Sequence, residues 1–104
     1  MPLATELAHV DATEHAQLVR SGKISATEAV TAALERIAAQ ASLNAVVGLD
    51  AERALAIAAQ APAGPFAGVP FLAKDLLPFP NLPATMGSRL FAQHVPDAHV
   101  PYTE

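Results

Sequence analysis

Gly68-Val69-Pro70-Phe71-Leu72-Ala73-Lys74-Asp75-Leu76-Leu77 is an apolar run interrupted by one lysine and one aspartate. Apart from those two residues it reads as a strand buried on both faces. Lys74 is the residue out of place. An ammonium group carried into such a site loses hydration, and is disfavoured unless a carboxylate or several acceptors compensate. An amine that sheds its proton readily is a base, so the position suggests proton-transfer chemistry. A strand-end lysine that snorkels to water or pairs with Asp75 satisfies the same pattern.

Upstream of this run, Leu43-Asn44-Ala45-Val46-Val47-Gly48-Leu49 is β-branched enough for a short strand. Asp50 is placed to cap an Ala-rich helix over about 51–61, stopped by Pro62 and Gly64. With Val69–Lys74 as the second strand, strand, helix, strand at this spacing is a βαβ unit, which implies parallel pairing and a right-handed crossover. Nearer the N-terminus, Asp11-Ala12-Thr13-Glu14 fits a capping box and predicts a short helix burying Val19 with His15 and Ala16. Gly22 can end that helix in a left-handed conformation. Ser25-Ala26-Thr27-Glu28 repeats the capping signal, and the helix predicted over about 26–41 carries Ala29, Val30, Ala33, Leu34, Ile37 and Ala41 on one stripe.

Downstream, Pro78, Pro80 and Pro83 prevent regular structure. Thr85-Met86-Gly87-Ser88 reads as an ordered loop, Arg89-Leu90-Phe91-Ala92 as one helical turn, and 96–104 shows no closing element. The expected fold class is α/β: N-terminal helices followed by the first βαβ portion of a sheet. Such sheets are buried on both faces by several units, so residues 1–104 are expected to be the N-terminal segment of a single, incomplete domain.

Composition narrows the function. Apolar residues make up 52% of the chain and aromatics 5%, so alanine supplies much of the apolar total and the core per residue is thin. Six basic residues stand against ten acidic ones, and the basic residues are scattered, so no phosphate-tracking stripe exists and nucleic acid is an unexpected partner. Cysteine is absent, which removes disulfides, thiolate metal sites and a cysteine nucleophile together. No stretch approaches the roughly 20 apolar residues that span a bilayer, and the N-terminus lacks a signal-peptide pattern. A cytoplasmic protein without membrane contact is the expectation.

The other chemical constellations fall away. His9, His15, His94 and His99 form no metal-ligand pair with a nearby carboxylate, so no metal and no cofactor is expected. Gly64, Gly68 and Gly87 assemble no phosphate-binding loop. Ser21, Ser25 and Ser42 read as helix-boundary residues, and nothing matches a nucleophile elbow. Ser88 lies in the loop after the Lys74 run and is placed to approach the same cleft.

The elements G-V-P-x-x-x-K-D at Gly68–Asp75 and T-x-G-S at Thr85–Ser88 together resemble the N-terminal part of an amidase signature hydrolase. Ser21-Gly22-Lys23-Ile24-Ser25-Ala26 resembles that family's turn between its first two helices, and Leu43–Val47 its first strand. The resemblance covers about residues 10–95. It implies hydrolysis of linear carboxamides to an acid and ammonia or amine, by a Ser, cis-Ser, Lys triad on a mixed sheet. Lys74 matches the triad lysine, which takes a proton from the nucleophilic serine through the cis-serine. Asp75 is then structural, and Thr85, Met86, Gly87 and Ser88 shape the substrate cleft. Asn81 stands where the family commonly has glycine, and asparagine tolerates a left-handed conformation.

The Gly- and Ser-rich signature that supplies both serines and the oxyanion hole lies well downstream of such a motif in the family, and these 104 residues do not contain it. The expected partner is therefore the C-terminal amidase portion, or a second copy of the chain, with a small-molecule amide as substrate. The chain alone is expected to be inactive. A different class, a non-catalytic interaction chain docking on a partner through its amphipathic helices, is the alternative.

Overall fold

The computed structural model describes residues 2–60 and 63–101. They fall into two compact units, Met1–Asn44 with Ala51–Pro70, and Ala45–Asp50 with Phe71–Glu104.

The first unit is helical. α1 (Leu3–Leu7) has no counterpart among the sequence-based expectations; it starts at Pro2, whose carbonyl accepts from Thr5 and Glu6 N–H groups, and it buries Leu7. α2 (Ala12–Arg20) begins where Asp11 accepts a hydrogen bond of 2.9 Å from the Glu14 N–H, one of the donors a helix start leaves unpaired. It ends in a full Schellman motif: Gly22 N–H donates to Val19 O and Lys23 N–H to Leu18 O, with Gly22 at φ +75°. α3 (Ala26–Ala39) opens on the reciprocal capping box expected of Ser25 and Glu28. It packs against both α1 and α4 (Ala51–Ala59). The buried contacts are Leu7, His15, Ala16, Ala29, Ala32 and Ala58. Alanines let helices approach closely but remove little apolar area from water, so this core is thin.

α3 is shorter than its pattern suggests. Ala41 leaves the helix for a 3₁₀ turn (Ala41–Leu43) that ends on Asn44 at φ +55°, so the stripe loses its last member. The helix expected to reach Ala61 is α4, which ends at Ala59; its predicted end at Ala61 and stop at Pro62 lie outside the described residues. Part of the C-terminal stretch, at 102–104, lies outside them too.

The second unit is held by turns and scattered backbone bonds. Phe79-Pro80-Asn81-Leu82 closes with Leu82 N–H donating to Phe79 O, and Asn81 takes φ +64° as a type II turn demands of its third residue. Asn81 N–H donates to Pro96 O and Ala84 N–H to His94 O, which ties this stretch to the chain that follows the site. Ala84 and Pro80 are the buried residues here, and the Pro83 ring lies against Gly48.

The α/β expectation is overturned. Among the described residues no strand and no sheet forms, so neither Leu43–Leu49 nor Val69–Lys74 is a strand and no βαβ unit exists. β-branched composition makes a segment extended, but a strand exists only where a neighbour completes a ladder. A lone parallel pair is the weakest such arrangement and needs cover on both faces. Pro70 also lacks the N–H a central strand must donate. The run containing Lys74 divides between the units after Pro70, and the residues expected to be buried are open to water: Phe71 is 68% exposed, Leu72 64% and Val47 61%.

Candidate functional site

Lys74 leads into a turn closed by Leu77 N–H donating to Lys74 O at 3.1 Å. Its side chain is exposed, not sequestered in an apolar run. Asp75, the next residue, is tied into the protein instead. One carboxylate oxygen accepts from the Thr85 N–H at 2.8 Å, and the other accepts from the Thr85 hydroxyl in a short hydrogen bond. The backbone carbonyl of Asp75 accepts from Met86 N–H at 3.2 Å. Three bonds thus fasten one residue to two others about ten positions along. The Thr85 hydroxyl and then the Thr85 amide hold the Asp75 carboxyl below the ordinary carboxylate range, helped by the Gly87 N–H and the neighbouring Lys74 charge.

Beyond the clamp the chain reverses. Ser88 N–H donates to Thr85 O at 2.9 Å, and both central residues lie at positive φ, Met86 at +52° and Gly87 at +68°. This is the signature of a type I′ turn. Glycine adopts it freely, whereas methionine has no local compensation for the left-handed geometry, and such residues concentrate at functional sites. Ser88 then caps a 3₁₀ turn (Arg89–Phe91), its hydroxyl oxygen accepting from Leu90 N–H at 3.2 Å. That serine is engaged in a cap, and among the described residues no base is bonded to it that would make it a nucleophile.

The residues read as a site from sequence, Lys74, Asp75 and Thr85–Ser88, all lie in the second unit, and Asp75 joins the two stretches directly. The sequence reading identifies neither Thr85 as the partner of Asp75 nor Met86 as left-handed. Neither carries a local signal: the partners are ten residues apart, and methionine is not a residue type associated with positive φ.

The first unit holds a separate open depression of about 610 Å³, bordered by Val19, Arg20, Ile24, Ala26, Ala58 and Gly68 among others. Arg20 reaches across its rim to the Pro65 carbonyl at 3.0 Å. Its walls are mostly small residues, with Arg20, Ser25 and Thr27 as the polar ones, and Lys74 is not among them, so size alone does not make it the reaction site. His15, on α2, is buried, its Nε2 without a hydrogen-bond partner. Burial first, then the positive charge of Arg36, pushes its pKa down. Among the described residues no group of three or more His, Cys, Asp or Glu converges as a metal set, and no helix is long and apolar enough to cross a membrane.

Comparison with known proteins bears on the same stretch. The family model described as Amidase matches residues 28–103, which takes in Lys74, Asp75 and the whole Thr85–Ser88 turn. A glutamyl-tRNA(Gln) amidotransferase subunit from Salinispora arenicola is 39% identical over 101 residues, covering 85% of this chain and 20% of that protein. The 6-aminohexanoate-cyclic-dimer hydrolase of Paenarthrobacter ureafaciens is 48% identical over 67 residues, covering 64% of this chain and 13% of that protein. An acylamidase of Rhodococcus erythropolis is 35% identical over 95 residues, covering 83% and 20% respectively. No solved structure gives a significant match. The chain spans about a fifth or less of the length of these curated relatives, within their N-terminal portion. With the match running through the lysine, the clamp and the turn in the order the motifs dictate, the chain belongs to the amidase signature family.

Proposed function

We propose that this chain contributes the general-base lysine, Lys74, to hydrolysis of a linear carboxamide by an assembly that also contains the rest of an amidase domain. The observation that carries the reading is the family match spanning Lys74-Asp75 and Thr85–Ser88, two segments that Asp75 and Thr85 bond together. In this reading the neutral Lys74 amine accepts the proton that leaves a serine hydroxyl as it attacks the amide carbon. The protonated amine then returns that proton towards the leaving nitrogen. Met86, Gly87 and Ser88 line the adjacent cleft, and the product pair is a carboxylic acid with ammonia or an amine.

A lysine serves as base only in its neutral form, and loss of solvent is what favours that form. Lys74 is exposed, so in an active assembly other residues have to exclude water from it. The 104 residues alone contain no Gly- and Ser-rich nucleophile segment, and most of the rate enhancement of an acyl-transfer enzyme lies in the nucleophile and oxyanion hole. By themselves they are expected to give no turnover.

The test is ammonia release from linear carboxamides by the assembly, with the remaining domain joined to these residues or supplied in trans. Lys74→Ala should lower the rate by about 100- to 10,000-fold, the range of general acid–base catalysis. Because the side chain is exposed, folding should change by less than about 0.5 kcal/mol. Equal rates for the two proteins would remove Lys74 from catalysis.

A non-catalytic docking role is a second reading, favoured by one observation. Large apolar side chains stand open in the second unit, Leu90 at 84% exposure together with Leu72, Leu76 and Val95. Open apolar surface of this kind marks an interaction site. Tight binding of the remaining domain with no effect of Lys74→Ala on the assembly's rate would favour this role over the catalytic one.

A further inference from the structure

Asp75 does more in this structure than end a segment. Its two carboxylate oxygens are both committed to Thr85, one to the hydroxyl and one to the amide, and its carbonyl holds Met86 N–H. Lys74 precedes it directly in the chain, and the left-handed pair Met86–Gly87 follows Thr85 directly. A left-handed methionine persists only where its surroundings over-determine the backbone. The bonds from Thr85 N–H, Thr85 hydroxyl and Met86 N–H to Asp75 are the restraints that do so here. The Thr85 hydroxyl oxygen also accepts from Gly87 N–H at 3.4 Å, which extends the network into the turn.

We propose that Asp75 is a positioning residue, acting through Thr85 to make the backbone of Lys74 and the Met86–Gly87 turn one rigid unit, so that the amine and the cleft wall keep a fixed separation during amide hydrolysis. The proposal rests on the assignment of Lys74 as base. Misplacing a reacting group by about 1 Å costs on the order of 100-fold in rate, so a clamp of this kind acts on turnover more than on substrate binding. The Thr85 hydroxyl is the separable part: valine has nearly its shape without the donor, and serine keeps the donor without the methyl group.

Two measurements decide it. In the 104-residue chain, Thr85→Val should let the Asp75 carboxyl titrate closer to the ordinary carboxylate range by ¹³C NMR, with Lys74 as the charged neighbour common to both proteins. It should also speed hydrogen exchange at Met86 N–H by at least about tenfold, as expected of a locally opened segment. Thr85→Ser should leave both as in the parent. In the active assembly, Thr85→Val and Asp75→Asn should lower kcat by about 10- to 100-fold with KM within about threefold, and Thr85→Ser should restore kcat. Unchanged Met86 exchange in Thr85→Val overturns the clamp. An unchanged kcat per folded enzyme in that variant overturns its role in turnover. Lys74→Ala assayed beside them separates the two ideas: full activity there refutes the base assignment and the turnover role with it, while the exchange data judge the clamp alone.

Discussion

Gly68 is the position at which one methyl group should matter most to the helical unit. Its φ is +81°, and a Cβ built there falls 2.9 Å from Ala26 Cβ and 2.9 Å from Val19 Cγ1. Gly68→Ala therefore incurs two separate costs. The left-handed backbone disfavours any Cβ by about 1–2 kcal/mol, and forcing atoms into an occupied space adds about 1–3 kcal/mol. Gly22 supplies the control: it has φ +75° and nothing within 4 Å of its absent Cβ, so Gly22→Ala carries only the first cost of about 1–2 kcal/mol. Urea unfolding followed by far-ultraviolet circular dichroism reads the difference. With a slope of about 1.5 kcal/mol per molar, Gly68→Ala should lower the midpoint by about 1.3–3.3 M, and Gly22→Ala by about 0.7–1.3 M. Val19→Ala in the Gly68→Ala background removes the Cγ1 that the new methyl meets, and should recover part of the loss as a coupling between the two sites. Equal midpoints for the two glycine variants, or no coupling with Val19, would refute the close approach of the 64–68 turn to α2 and α3.

Two further outcomes follow from single residues. Because burial and Arg36 lower the pKa of His15, the unfolded chain binds more protons there; its stabilising effect is complete above the ordinary histidine pKa of about 6.5 and declines as pH falls through that value towards the lowered one. His15→Gln should flatten the fall of the urea midpoint between about pH 7 and pH 5, and an unchanged slope would exonerate the histidine. Met86→Asn places a residue tolerant of left-handed geometry at φ +52°; it should raise stability by several tenths to about 1 kcal/mol in the same urea assay, and a loss would mean that the thioether makes contacts outweighing the backbone strain.

The parts of this molecule legible in the sequence are those whose causes lie within a few residues. Asp11 and Ser25 start helices because their side-chain oxygens reach N–H groups three positions away, and Gly22 ends one because it alone bears φ +75° without cost. Asn81 at φ +64° after Pro80 belongs to the same class. Val46, Val47 and the Val69–Lys74 run mislead for the opposite reason. Their composition states a preference for extended backbone, while ladder formation depends on neighbours far along the chain, and among the described residues neither segment joins a ladder. Ala41 misleads on similar grounds, since the stripe is a matter of spacing and the helix end is a matter of which backbone bonds close.

Sequence alone determined where α2 and α3 begin, the Gly22 stop of α2 and the membership of the family, because each is written in short spacings or in the linear order of motifs. Tertiary structure decided that Lys74 is exposed, that Asp75 grips Thr85, that Met86 is held left-handed and that Gly68 has no room for a side chain. Those outcomes turn on contacts between residues well separated along the chain, such as Asp75 with Thr85 or Gly68 with Val19. The free energy of such contacts depends on which surfaces the folded chain brings together, and no local preference encodes that choice.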